Sequence, residues 1–282
     1  MKKHHQILLL TGLITGLTLS PVYADENLFG YTRGAETLPK GHYDLYQFTT
    51  LRAGKDEGVY RGWDAETEIE YGFTDKFQAS LALNNHYFKT SGVPDLDDAS
   101  HFRFGGVEAA AKYRFKSPFI DGYGLAIRPE IGFVRYDDVD GLLEHELLVG
   151  AMLIYQHNFR DDTVVFSANA GFDFTWGKMP AEQYDHELLL DGLVGLSYRF
   201  APGWFIGTET RIHAEFPNFD LSTHEHSVVF AGPSLHYAAQ RWWATASWAY
   251  QVWGNGVDEP IHHKTYAEEV RNEYRLKIGF NF

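Results

Sequence analysis

The chain has 282 residues, a formal charge of −14 and no cysteine, which excludes disulfides, a thiol nucleophile and cysteine-ligated zinc. It lacks the basic footprint that nucleic-acid binding requires, so no nucleic-acid partner is expected. Aromatic residues make up 16% of it, a richness that suits girdles at two membrane interfaces.

Met1 to His5 is a basic head, Ile7 to Leu19 an uncharged apolar run, and Pro21-Val22-Tyr23-Ala24 supplies a helix break and a small residue. The pattern predicts a secretory signal peptide over residues 1–24. The apolar run is too short to anchor in a bilayer. Loss of Lys2 and Lys3 with it takes the formal charge to −16. No other long apolar segment follows, which argues against helical spans. Residues 25–41 carry Gly30, Gly34 and Pro39 without a clear period. They are expected to form a periplasmic N-terminal segment, hanging free or tucked into a barrel mouth.

From residue 42 the chain alternates apolar and polar positions with a period of two, the mark of strands with two distinct faces. Twelve strands are predicted, over 42–52, 60–71, 77–88, 102–115, 123–136, 142–159, 163–176, 186–200, 204–215, 226–238, 242–253 and 274–282. The second is the clearest: Trp63, Ala65, Thr67, Ile69 and Tyr71 face one way, and Asp64, Glu66, Glu68 and Glu70 the other. The first is ambiguous, since Tyr43 and Leu45 compete with Tyr46 and Phe48. Short connections near 72–76, 116–122, 159–163, 201–203 and 239–241 alternate with longer ones, notably 89–101, 177–185, 216–225 and 254–270. An even strand count with alternating loop lengths predicts an all-β, antiparallel, up-and-down transmembrane barrel over residues 42–282, with both termini periplasmic. Pro129 and Pro233 fall inside strands and remove ladder donors, so a bulge is expected at each.

The last stretch, Tyr274 to Phe282, sets Tyr274, Leu276, Ile278, Phe280 and Phe282 against Arg275, Lys277, Gly279 and Asn281. It resembles the C-terminal assembly signal of Gram-negative outer-membrane β-barrels. Tyr71-Gly72-Phe73-Thr74-Asp75-Lys76-Phe77, Ala111-Lys112-Tyr113-Arg114-Phe115, Leu125-Ala126-Ile127-Arg128-Pro129-Glu130 and Ala231-Gly232-Pro233-Ser234 resemble small outer-membrane barrels, including uncharacterised transporters of the phenol-degradation meta-pathway type. The resemblance implies residence in the bacterial outer membrane. The partners it implies are outer-membrane lipids, lipopolysaccharide and the barrel assembly machinery, the last through Tyr274–Phe282. It supplies no residue-level site.

Twelve strands lie between barrels that side chains fill and those that leave a wide channel, so a narrow charged lumen passing a small solute by passive diffusion is the leading expectation. The polar faces name its lining. The acidic members are Asp64, Glu66, Glu68 and Glu70, then Glu108, Glu130, Glu144 and Glu146, then Glu187, Asp191 and Glu209. The basic members are Lys112, Arg114, Arg128 and Arg199, then Arg211, Arg275 and Lys277. Acid rings favour cations; alternatively these charges pair across strands and pack the lumen shut.

Nine histidines are expected at the extracellular end among many acidic residues. His224, His226, His262 and His263 are the tightest clusters, and imidazole with carboxylate suits zinc, copper or nickel. A divalent cation at that mouth is therefore the one cofactor considered. Hydrolysis has weak support: His226 and Ser227 are adjacent and point to opposite faces, the His-x-Ser motif of outer-membrane phospholipase is absent, and Asp95, Asp97 and Asp98 lie in a loop. A closed structural barrel completes the alternatives.

Overall fold

A computed structural model describes residues 27–94, 96–136, 143–178, 184–256, 263–266 and 268–282; the leader expected over 1–24 lies outside them. Twelve strands form: β1 (Tyr43–Ala53), β2 (Val59–Thr74), β3 (Phe77–Ser91), β4 (Ala99–Lys116), β5 (Gly124–Tyr136), β6 (Leu143–Phe159), β7 (Val164–Lys178), β8 (Tyr184–Ala201), β9 (Trp204–Pro217), β10 (His226–Ala238), β11 (Trp242–Gly256) and β12 (Asn272–Asn281). Each pairs antiparallel with its chain neighbours, and β12 returns to β1 from Asp44↔Asn281 to Ala53↔Asn272, closing the barrel. Closure leaves no strand with a free edge.

Strands run further into the loops than alternation alone suggests. Pairing continues to Lys89↔Ser100 and Thr90↔Ala99, so the connection expected over 89–101 shrinks to 92–98. Polar side chains finish that turn: Asp98 accepts Gly92 N at 2.6 Å and Thr90 Oγ1 accepts Ala99 N at 3.0 Å.

Neither proline makes the expected bulge. Ala110↔Glu130 and Tyr113↔Ile127 share one register across Pro129, and Pro129 itself pairs with Ala151 on β6. Pro233 likewise pairs with Thr208 on β9. The shift in the β10–β11 ladder falls earlier, between Val229 and Phe230. A residue in an antiparallel strand offers its N–H to one neighbour only. Proline thus thins one ladder without inserting a residue, and both rings face outward.

The outer face is apolar and exposed: Ile69, Leu81, Leu83, Ile131, Leu153 and Ile206 each expose between 45% and 52% of their surface. A continuous band of this kind is stable against hydrocarbon rather than water. At the end that carries Tyr43 and Phe282, rings form a girdle. Tyr43–Tyr71 centroids are 4.7 Å apart, Tyr71–Phe73 4.7 Å, Trp204–Tyr237 4.6 Å and Tyr237–Trp242 5.3 Å. Trp63–Tyr87, at 5.6 Å, belongs to the opposite end.

The ambiguity in β1 resolves with Tyr43 and Leu45 outside and Tyr46 and Phe48 inside, where they are 1% and 3% exposed. Tyr46 packs on Trp243 of β11 with centroids 5.4 Å apart. Gly279 makes room for that indole: a Cβ there would come within 2.2 Å of it. The inner glycine of the terminal strand is thus a seat for a tryptophan.

Candidate functional site

The interior has two levels. In the half nearer the termini, residues 27–41 cross the lumen as an irregular segment, deeper than a mouth. Its backbone groups find no ladder and are met by inward side chains, as buried amides must be. Glu209 is the principal holder. Its Oε1 accepts Gly30 N at 2.7 Å, and its Oε2 accepts Tyr31 N at 2.9 Å, Thr32 N at 3.0 Å and Thr32 Oγ1 at 3.3 Å. Successive backbone N–H groups around a carboxylate make an anion nest. Gly30 is required there, since a Cβ would lie 2.1 Å from Ser247 Oγ and 2.6 Å from Glu209 Oε1.

The other contacts cross the barrel. Asn169 accepts Arg33 N at 2.7 Å and donates to Arg33 O at 3.0 Å. Gln156 accepts Ala35 N at 2.8 Å, and Gln78 accepts Leu38 N at 2.6 Å. Lys112 Nζ donates to Gly34 O at 3.3 Å and Lys277 Nζ to Phe29 O at 3.2 Å. Arg114 pairs with Glu36. Glu209 and Asn169 lie five positions in from Trp204 and Val164, about 16 Å along the strands at ~3.3 Å per residue.

Above this segment lies a chamber of about 1290 Å³ that reaches the exposed loop residues Asp56 and Glu57. Among the described residues its lining holds thirteen carboxylates against four Lys or Arg side chains. Tyr31 forms part of its floor, with the Arg211 and Arg275 guanidinium groups 4.1 and 4.5 Å from the ring centroid. The β11–β12 loop folds inward, with Thr265 N donating to Gln251 Oε1 at 2.9 Å and Lys55 Nζ to Glu268 O at 2.7 Å. It brings Glu268 and Glu269 to the chamber wall. Burial pushes the Glu269 carboxyl above its ordinary range, partly offset by His213 nearby.

The residues expected to line the lumen divide between these levels. Asp64, Glu66, Glu144 and Glu146 line the chamber, with Glu187, Asp191, Arg211 and Arg275. Glu209, Lys112, Arg114 and Lys277 hold the crossing segment instead. Arg128 sits between Glu108, at 2.8 Å, and Glu130. Glu70 accepts from Tyr46 at 3.0 Å and Gln78 at 2.9 Å, and Glu68 is 1% exposed. Arg199 lies at the rim, donating to Asp161 O at 2.9 Å in the β6–β7 turn. Pairing runs through both levels, with Arg275 reaching Glu66 at 3.6 Å on the chamber wall, and the acid excess is what the chamber keeps beyond its pairs.

Sequence reading missed several members. Arg33, from the crossing segment, is surrounded electrostatically by Glu66, Glu68, Glu70 and Glu108. Arg52 holds Asp64 at 2.8 Å, and Glu273 takes Arg211 through both oxygens at 2.9 Å. Arg52 ends the predicted first strand, whose two faces the sequence left undivided, and Glu273 lies one position before the predicted twelfth strand.

Of the four histidines expected to form metal clusters, the three among the described residues, His224, His226 and His263, stand in different surroundings. His226 is buried on the chamber wall. His224 instead contacts Phe216, with centroids 5.7 Å apart, and its Nε2 lies 2.7 Å from Ser227 Oγ. His263 is exposed in the β11–β12 loop, and His262 lies outside the described residues. His213, one of the nine histidines expected at this end and on the polar face of the ninth strand, stands beside His226, with ring centroids 6.1 Å apart. For hydrolysis, His224 reaches Ser227, and no carboxylate orients that imidazole among the described residues. Asp98 serves the β3–β4 turn, and Asp95 is not among the described residues.

No curated protein matches the sequence. In structure the chain is similar to the COG4313 outer membrane channel from Pseudomonas putida F1, at 11% identity and a TM-score of 0.63, covering 88% of this chain and 98% of that one. It is also similar to the β domain of the Bordetella autotransporter BrkA, at 12% identity and a TM-score of 0.55, covering 86% and 99%. At such identities the likeness is one of fold, that of outer-membrane β-barrels. The Family of unknown function (DUF6662) matches residues 21–282, and the chain belongs to that family.

Proposed function

We propose that the protein is an outer-membrane channel for a small cationic solute, gathered in the acidic chamber and admitted when residues 27–41 give way. The observation that carries this reading is the chamber itself, about 1290 Å³ with thirteen carboxylates against four cations. A concave acidic surface with low-dielectric walls focuses field lines and raises the local concentration of cations. The likeness to an outer-membrane channel supports the same reading. In this orientation the termini and short turns face the periplasm and the chamber faces outward. The chemistry is passage rather than catalysis.

The test is planar-bilayer conductance of the folded mature chain beside a variant lacking residues 27–38. The wild type is expected to conduct rarely, and the deletion to conduct steadily with reversal potentials that favour cations. Silence from both folded proteins would refute a channel and leave a closed structural barrel.

A further inference from the structure

At one side of the chamber, His213 and Glu215 on β9 and His226 at the start of β10 meet Glu225 just before it and Glu269 from the inward loop. The ligand atoms of His213, His226 and Glu269 lie within 4.8 Å of one another, and those of Glu215, Glu225 and His226 do the same. His226 belongs to both triads.

His226 is 5% exposed, and neither of its ring nitrogens has a hydrogen-bond partner among the described residues. Glu215 Oε2 stands 3.6 Å from its Nδ1, beyond hydrogen-bond reach. A buried imidazole with both nitrogens unmet calls for a ligand. His213 is held differently: Nδ1 lies 3.0 Å from Asp191 Oδ1 and Nε2 2.8 Å from Glu215 Oε1. A carboxylate on one nitrogen is the arrangement that orients a metal-ligating histidine and fixes its tautomer. With Asp191 in that role, Nε2 is left facing Glu215 Oε1 as the free ligand atom of the ring.

We infer that His213 and His226 bind one divalent transition-metal ion of the zinc class inside the lumen, with Glu215, Glu225 and Glu269 supplying the oxygen ligands. Two imidazoles with carboxylates select zinc, copper or nickel over magnesium and calcium, which prefer all-oxygen sites. The acid excess of the chamber draws cations in, and the imidazoles choose among them. The ligands come from the β9–β10 wall and from the β11–β12 loop, so the ion ties that loop to the wall. The inference stands apart from the channel reading, because a site of this kind needs no solute to cross.

The test uses the full mature chain folded in detergent, stripped with EDTA and titrated with zinc chloride by calorimetry. Cobalt chloride serves as a second probe through its visible spectrum. One ion per chain is expected, with an intense cobalt band. His226→Ala should weaken zinc at least about tenfold and abolish the band, the usual scale for losing a site partner. His224→Ala, whose ring packs on Phe216, should leave both unchanged. Heat-modifiable gel migration reports folding, and Glu225→Gln serves if His226→Ala does not fold. Zinc affinity unaltered in the folded His226→Ala or Glu225→Gln variant would overturn the site, as would weak unsaturable heats in the wild type or a loss confined to His224→Ala. Conductance plays no part in the measurement, so failure here leaves the channel reading standing, and a silent barrel leaves this one.

Discussion

At the scale of single residues, Glu209 carries the most consequential contacts, because one carboxylate receives three consecutive backbone amides. Hydrogen bonds to a charged group contribute about 1.5–3 kcal/mol each. Glu209→Gln keeps the shape, removes the charge and turns an amide group toward donors. It should weaken the hold on Gly30 to Thr32 by roughly 2 kcal/mol, about thirtyfold in the opening equilibrium. Hydrogen exchange at the Tyr31 and Thr32 amides is the readout, and unchanged rates would show that the other contacts suffice. Gly279→Ala forces a methyl against the Trp243 indole, and overpacking of this kind costs about 1–3 kcal/mol. A lowered urea midpoint of the folded barrel would report it. The alternation of β9 already placed Glu209 on the inner face. Its partner was hidden, because a backbone amide leaves no mark in a sequence. His213 and Glu215 also share a face on β9, and Glu215 pairs with His226 across the hairpin. Glu269 comes from a loop, but His213, Glu215 and His226 were thus accessible through strand register. They were masked by His224-Glu225-His226, whose first two members precede β10 and escape its alternation.

At the scale of elements, alternation located all twelve strands because each has one face toward an apolar surround. It failed on β1, where both faces carry rings. The cause is the crossing segment. It converts that part of the interior into a packed core, so Tyr46, Phe48 and Trp243 stand where an open pore would place polar groups. The segment itself was illegible, since it has no period and its amides are satisfied by scattered Glu, Asn and Gln side chains. Removing residues 27–38 should strip contacts from both Phe29 and Arg33 while leaving every ladder intact. The truncated barrel is therefore expected to keep its β-sheet circular dichroism and its heat-modifiable migration. Loss of either would make the segment a folding element rather than a closure.

At the scale of the whole molecule, the surface and the interior obey opposite solvents. Leu83, near the middle of β3 and 45% exposed, faces the apolar surround. Leu83→Arg should cost about 2–4 kcal/mol if that position sits at the bilayer midplane. Reduced folding yield into lipid vesicles, with no comparable loss for Asp56→Arg in the β1–β2 loop, would verify the assignment. The seam where the sheet meets itself has a further consequence. Residues 27–41 continue directly into β1, while Phe29 and Tyr31 are gripped from β12 by Lys277 and Arg275. The chain thus laces the first strand to the last from within. Any opening of that seam sideways must break these bonds along with the ladder, so the wall resists parting there more firmly than its backbone pairing alone would make it.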